Sequence, residues 1–212
     1  MEGKESLPVY LLICCEGKKT EPQYFGIVIK QRRINRGRAN VKIVGDKGQH
    51  IALVNEAVIE REKLGRQFEL DLDEIETWVV CDKDSMSCSL ERLENYAAKN
   101  RVRLAFSDPR FEIFILQHFA RSSTNATGKA LEAQIGKHLA AKGHKHGYKK
   151  SDLAILNKLF DEDPRLLETA IKNSKPISVK GETPYTTVHT LLERLLQLSI
   201  DVSIVSSLTK AQ

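Results

Sequence analysis

The chain has few of the residues that build a disulfide framework, a membrane span or a repeat. Its four cysteines, Cys14, Cys15, Cys81 and Cys88, show no Cys-x-x-Cys spacing and have no histidine at zinc-finger distance. Neither a disulfide scaffold nor a structural zinc site is expected from that pattern. Cys14, Cys15 and Cys81 adjoin apolar runs, where a reduced thiol behaves as a small hydrophobe, as in a cytoplasmic protein. No run of about 18 apolar residues is present, so no membrane-spanning helix is expected. Met1 to Pro8 carry acids and no apolar stretch, so no secretory leader is expected either. Internal repeats and low-complexity tails are also missing.

What remains is an ordinary globular composition, with 212 residues, 41% hydrophobic and 29% charged. That length suits one domain or slightly more. The net charge of +5 comes from 33 Lys and Arg against 28 Asp and Glu, and the charges are unevenly placed. Lys30 to Lys47 hold seven bases and one acid, and Lys137 to Lys150 hold five bases and no acid. Glu56 to Glu76 hold eight acids and three bases, the pattern of a solvated face.

Hydrophobic patterning gives the order of elements. Val9 to Cys15 is a short continuous apolar run, the pattern of a strand buried on both faces of a parallel sheet. Thr20, Glu21 and Pro22 read as an N-cap and first turn, with Tyr24, Phe25, Val28 and Ile29 as the apolar stripe. Val41–Val44, Ile75–Cys81 and Arg103–Phe106 read as further strands, separated by helices over 50–64 and 89–99. This alternation predicts an α/β core with a mostly parallel four-stranded sheet over residues 1–107. Beyond Pro109 the pattern turns helical, near 111–119, 128–141, 151–160, 163–173 and 186–197. A mainly helical extension packed on the core is therefore expected over 108–212, with a weakly signalled late strand near 200–205.

Two of the predicted strands end in acids: the first at Glu16, the third at Asp82 and Asp84. Ligands of open parallel sheets bind outside the carboxyl ends of strands. Side chains two apart on an extended segment share a side, so Asp82 and Asp84 project together while Lys83 points elsewhere. Crowded carboxylates raise one another's pKa, and a hard cation such as Mg²⁺ removes that cost. A lone Asp-x-Asp is a weak motif, since acids after strands also serve as loop residues and helix caps. Glu16, supplied by another strand, strengthens it.

Those residues resemble the Toprim fold of topoisomerases, bacterial primases and overcoming-lysogenization-defect nucleases, which share a glutamate after the first strand and an Asp-x-Asp after the third. Glu16-Gly17-Lys18-Lys19-Thr20-Glu21-Pro22-Gln23-Tyr24-Phe25 further resembles the opening motif of the RloB-like family. Ser107-Asp108-Pro109-Arg110-Phe111-Glu112-Ile113-Phe114, with His118-Phe119, resembles that family's central Ser-Asn-Pro-x-Phe-Glu motif. Here Asp108 replaces the usual Asn and Phe114 a usual Trp. Tyr148-Lys149-Lys150 and Pro184-Tyr185-Thr186-Thr187-Val188 resemble later blocks, so the likeness runs over about 9–196. The resemblance implies a Toprim-like core, a place among restriction-modification and phage-defence loci, and an ATPase or other defence subunit as a partner.

A metal-dependent nuclease acting on DNA or RNA is the expected activity. Glu16, Asp82 and Asp84 would be the ligands of Mg²⁺ or Mn²⁺. Glu112 would be a further ligand or general base, or else an acid favoured by a helix N-terminus; Glu21 carries the same two readings. Lys18, Lys19, Arg33, Arg36, Lys149 and Lys150 are the candidate phosphate contacts, against ordinary basic loops. Tyr148 reads as a stacking or backbone contact, or as part of a hinge. His118 reads as a packed, hydrogen-bonded core histidine, against a catalytic base, and His144 with His146 lack a third ligand. The alternative activity is a nucleic-acid-binding or partner-gated module without catalysis of its own.

Overall fold

The computed structural model describes residues 8–34, 39–84, 86–124, 126, 128–144, 147–151 and 153–199. The chain opens with β1 (Val9–Cys15), α1 (Thr20–Gln31), β2 (Ala39–Val44), α2 (His50–Phe68), β3 (Ile75–Asp82), α3 (Leu90–Lys99) and β4 (Arg103–Asp108). It continues with α4 (Glu112–Leu116), α5 (Gly128–Ala141), α6 (Ala154–Glu162), α7 (Leu166–Ser174), β5 (Tyr185–Thr186) and α8 (Val188–Gln197).

The strands form one sheet in the order β2-β1-β3-β4-β5. The first four are parallel, and β5 runs antiparallel to β4 through Ser107↔Thr186 and Asp108↔Tyr185. The expectation of four strands is therefore corrected to five. A two-residue strand is too short to leave a period-2 pattern, and its pairing depends on a neighbour far away in the chain. The expected strand near 200–205 lies outside the described residues, as does Arg36.

Alternation along the strands creates two cores. Leu11, Ile13, Cys15, Trp78, Val80 and Ala105 point to one face, where α1 and the helices of the second half pack. Leu12, Cys14, Val79, Cys81 and Phe106 point to the other, beneath α2 and α3. Both sheet faces are covered, which is why β1 and the Trp78–Cys81 stretch of β3 are continuous apolar runs rather than alternating with polar residues. Helix α4 is buried on every side, with Phe114 and Ile115 fully enclosed. Such all-round burial explains the dense Phe-Ile-Leu composition of that segment.

Helix α1 departs from expectation at its start. Thr20 is its first residue rather than its cap, and Lys19 stands at the cap with no side-chain bond. The Thr20 hydroxyl instead donates to the Lys150 carbonyl at 2.9 Å. Gln23 reinforces the contact, donating to Ser151 O at 3.3 Å and accepting from Leu153 N at 3.2 Å. Polar groups at the start of α1 thus hold Lys150, Ser151 and Leu153 of the distant second half.

Candidate functional site

Strands β1 and β3 are neighbours, and the backbone ladder continues one residue beyond β1 through Glu16 N to Val80 O at 2.9 Å. Glu16 and Asp82 therefore emerge side by side. The chain leaves β1 towards β2 on one side and returns to β3 on the other. The gap between these strands is the topological switch point, where open α/β sheets leave a crevice for ligands.

Burial sets the electrostatics of this edge. Burial first, and Asp82 second, push the Glu16 carboxyl above its ordinary range, while His50, the Asp82 backbone and Gln49 pull it partly back. Asp82 is raised by burial and by Asp84 and Glu112, with the Asp84 N–H bonding to its Oδ1 at 3.0 Å. Glu21 is raised to about 7 by burial, with Asp82, Glu112 and Glu16 adding repulsion. Its carboxylate folds over Gly17 so closely that a Cβ there would lie 2.0 Å from Glu21 Oε2. One carboxylate oxygen, Glu16 Oε2, is buried with no hydrogen-bond partner. A buried anionic oxygen without a donor costs free energy, so this atom has unspent capacity to bind a cation or proton.

The other two acids of the constellation are held by cations. Arg110 bonds Asp84 Oδ2 at 2.6 Å. Glu112, only 1% exposed, accepts from Lys150 at 3.2 Å and from the Tyr148 hydroxyl at 3.3 Å. Among the described residues, no three His, Cys, Asp or Glu side chains stand together as a ready metal-binding group. The edge combines an acidic crevice at Glu16, Asp82 and Glu21 with two flanking acids already paired to Arg110 and Lys150. All five are oxygen donors suited to a hard cation. The free Oε2 of Glu16 is the feature that fits such a cation most directly.

The candidate phosphate contacts divide between two ends of the molecule. Lys18 is exposed and lies 3.6 Å from Asp46, and Lys19 is exposed beside it in the loop after β1. Lys150 reaches the edge through Glu112, with exposed Lys149 adjacent. Arg33 lies beyond the far end of α1. That helix has 12 residues, which at 1.5 Å per residue puts Arg33 about 18 Å from the helix start. Its neighbour Arg32 is committed to Pro164 O at 2.7 Å and Glu168 at 3.1 Å. The Arg33 part of the first basic segment therefore lies away from the acidic edge, while the end of that segment returns to it, with Asp46 N–H bonding Gly17 O at 3.4 Å.

Two aromatic candidates prove to be structural. Tyr148 is buried, and its hydroxyl is spent on Glu112, so it presents no face for stacking. His118 is fully buried and lowered to about 4 by that burial. Its Nδ1 faces the Ile115 carbonyl at 3.1 Å, which can only accept, so Nε2 is left to accept from the Tyr24 hydroxyl at 2.9 Å. Sequence reasoning missed Gln49 and His50. His50 is buried, has φ of +47° and donates from Nε2 to Asp82 O at 2.9 Å. The only signal available was the pair of polar residues at the start of an apolar-periodic helix, which ordinarily indicates nothing more than a helix terminus.

A family model described as RloB-like protein matches residues 11–195. No curated protein and no solved structure matches the chain.

Proposed function

The chain belongs to the RloB-like family, and from that premise we propose that it is a metal-dependent nuclease with a Toprim-like core, cleaving phosphodiesters of DNA or RNA in anti-phage defence. The observation that carries this reading is that Glu16, one residue past β1, stands beside Asp82 at the end of the adjacent parallel β3, with Glu16 Oε2 buried and unpartnered. Glu16, Asp82 and Asp84 would hold Mg²⁺ or Mn²⁺. When bound, such an ion supplies charge neutralisation at phosphoryl oxygens and a more acidic water. The remaining work falls to the chain's own groups. Glu21, with a pKa of about 7, holds or releases a proton near neutral pH, the range in which acid–base groups are most effective. Glu112 is kept in one orientation by Tyr148 and Lys150. Lys18, Lys19, Lys149 and Lys150 supply positive charge for a phosphate backbone around this edge.

The test is incubation of purified protein with DNA and RNA panels in Mg²⁺ or Mn²⁺. Cleavage is expected, and Glu16→Ala and Asp82→Ala should each abolish it. Cleavage that survives both substitutions overturns the site.

One observation favours a gated version of this reading. Asp84 through Oδ2 and Glu112 through Oε1 are paired with Arg110 and Lys150, so a metal that recruits either carboxylate competes with its cation. An ATPase or other defence subunit, or the nucleic acid itself, would tip that competition. A protein silent alone but active with such a partner supports gating. Nucleic-acid binding that persists in Asp82→Ala, with no cleavage under any condition, supports a binding module instead.

A further inference from the structure

Arg110 lies between β4 and α4, and its Nη2 donates to Asp84 Oδ2 at 2.6 Å. The Asp84 side chain is 53% exposed and that of Arg110 34%. Exposed ion pairs add little to stability, so this one opens at small cost. The guanidinium nevertheless has a fixed seat. A Cβ at Gly128, the first residue of α5, would lie 2.9 Å from Arg110 Nη1, 3.4 Å from Cζ and 3.8 Å from Nε. Three atoms of the guanidinium plane therefore rest in space that a side chain at position 128 would take. The other N–H groups of that guanidinium have no hydrogen-bond partner among the described residues. Its charge also reaches Asp82, whose carboxyl is raised by burial and pulled partly back by Arg110. A seated cation with spare donors thus stands beside two of the proposed metal ligands.

We propose that Arg110 binds a phosphate oxygen of the nucleic-acid backbone, and that Asp84 holds its place until then. Carboxylate and phosphate oxygens offer a guanidinium the same kind of acceptor, and each can take two parallel N–H bonds from its fork. Asp84 takes only one, through Oδ2, so the resting pair leaves a two-pronged contact unmade. Exchange requires Asp84 to loosen its hold. A cation that takes up the Asp84 charge does so at the edge where a phosphate would need Arg110. The ligand class rests on the phosphodiester reading above, while the competition for Arg110 rests on the ion pair and its seat at Gly128.

The experiment is fluorescence anisotropy of labelled single-stranded DNA and RNA oligonucleotides over a salt series, with the full chain and no divalent cation. Asp84→Asn keeps the shape of the side chain, removes its charge and so frees Arg110. It should tighten binding about tenfold and steepen the log–log salt slope by about one. With Arg110→Ala added, the gain should shrink to about twofold and the slope return to its native value, which isolates the Arg110 share. With Arg110→Lys added instead, charge is kept but the fork is lost, and about threefold should remain. Asp84 and Arg110 are partly exposed, so these variants leave the buried core intact. A gain of equal size with and without Arg110 overturns the proposal, because the lost Asp84 charge then explains it alone. No gain in Asp84→Asn overturns it too. Displacement of the oligonucleotide by inorganic phosphate at a matched phosphate concentration assigns Arg110 to a free oxyanion and overturns the nucleic-acid assignment. Cleavage without coupling between Asp84 and Arg110 removes this proposal and keeps the nuclease; coupling without cleavage does the reverse.

Discussion

Gly17 and Glu21 compete for the same few ångströms. The atom that a Cβ at position 17 would strike is the end of a flexible side chain, so the chain can yield without backbone rearrangement. Gly17→Ala should therefore cost less than about 1 kcal/mol while moving the Glu21 carboxylate out of the crevice. The expected result is a nearly unchanged denaturation midpoint with reduced cleavage. Glu21 itself makes a prediction about pH. Its folded-state pKa of about 7 stands above the ordinary 4.5. A raised carboxyl contributes stability that is full below about 4.5 and is lost as pH rises through about 7. Glu21→Gln, which cannot ionise, should thus gain on the native chain by about 1–3 kcal/mol between pH 4.5 and pH 8. Urea denaturation at the two pH values measures this, and a pH-independent difference contradicts it. Glu16 and Asp82 were legible in the sequence because each follows an apolar run that only a buried strand explains. Gln49 and His50 were not, because their contact with that edge is created by the β1–β3 pairing rather than by their own neighbours.

Elements are tied together by buried ionic hubs at places the hydrophobic pattern does not reveal. Glu60 on α2 accepts from Lys63 at 2.9 Å, Lys47 at 3.0 Å and Lys42 at 3.4 Å, joining α2 to β2 and the loop after it. These partners, Lys63 first, lower its carboxyl to about 2. A lowered carboxyl stabilises above its unfolded pKa and loses that contribution as pH falls from about 4.5 towards 2. Glu60→Gln should therefore be less stable than the native chain at pH 7 by about 1–3 kcal/mol, with the gap closing by pH 2.5. Thermal melts across that range test it. Helix α8 offers a packing test. Leu192 is fully buried in the core shared with Leu11 and Ile13 of β1, and Leu192→Ala should cost about 2–5 kcal/mol. Loss of a single cooperative transition, rather than of a separate late one, is the expected signature. The first four strands and most helices were legible because each buries a continuous run or a 3.6-residue stripe. The two-residue β5 and the Thr20–Lys150 contact were not, since each depends on a partner more than 70 residues away.

At the scale of the whole molecule, positive charge is segregated. Lys149 and Lys150 stand at the acidic edge, whereas Arg33 stands past the opposite end of α1. If nucleic acid approaches this edge, neutralising Lys149 and Lys150 should weaken binding across sequences and flatten its salt dependence by about one unit of log–log slope per lost phosphate contact. Arg33→Ala should leave that slope unchanged. Fluorescence anisotropy over a salt series separates the two, and equal effects would place the nucleic acid elsewhere. The net charge of +5 alone predicted neither distribution. The closing of the sheet by β5 also has a consequence during synthesis. Ser107 meets Thr186 across 79 residues, so β4 leaves the ribosome with one edge unpaired. At about 5–20 residues per second, that edge waits roughly 4–16 s for its partner. Until then the strand that carries Asp108 is an open template for pairing with other chains. A nascent chain is therefore exposed to aggregation through that edge for the interval, and the exposure ends when the few residues of β5 are added.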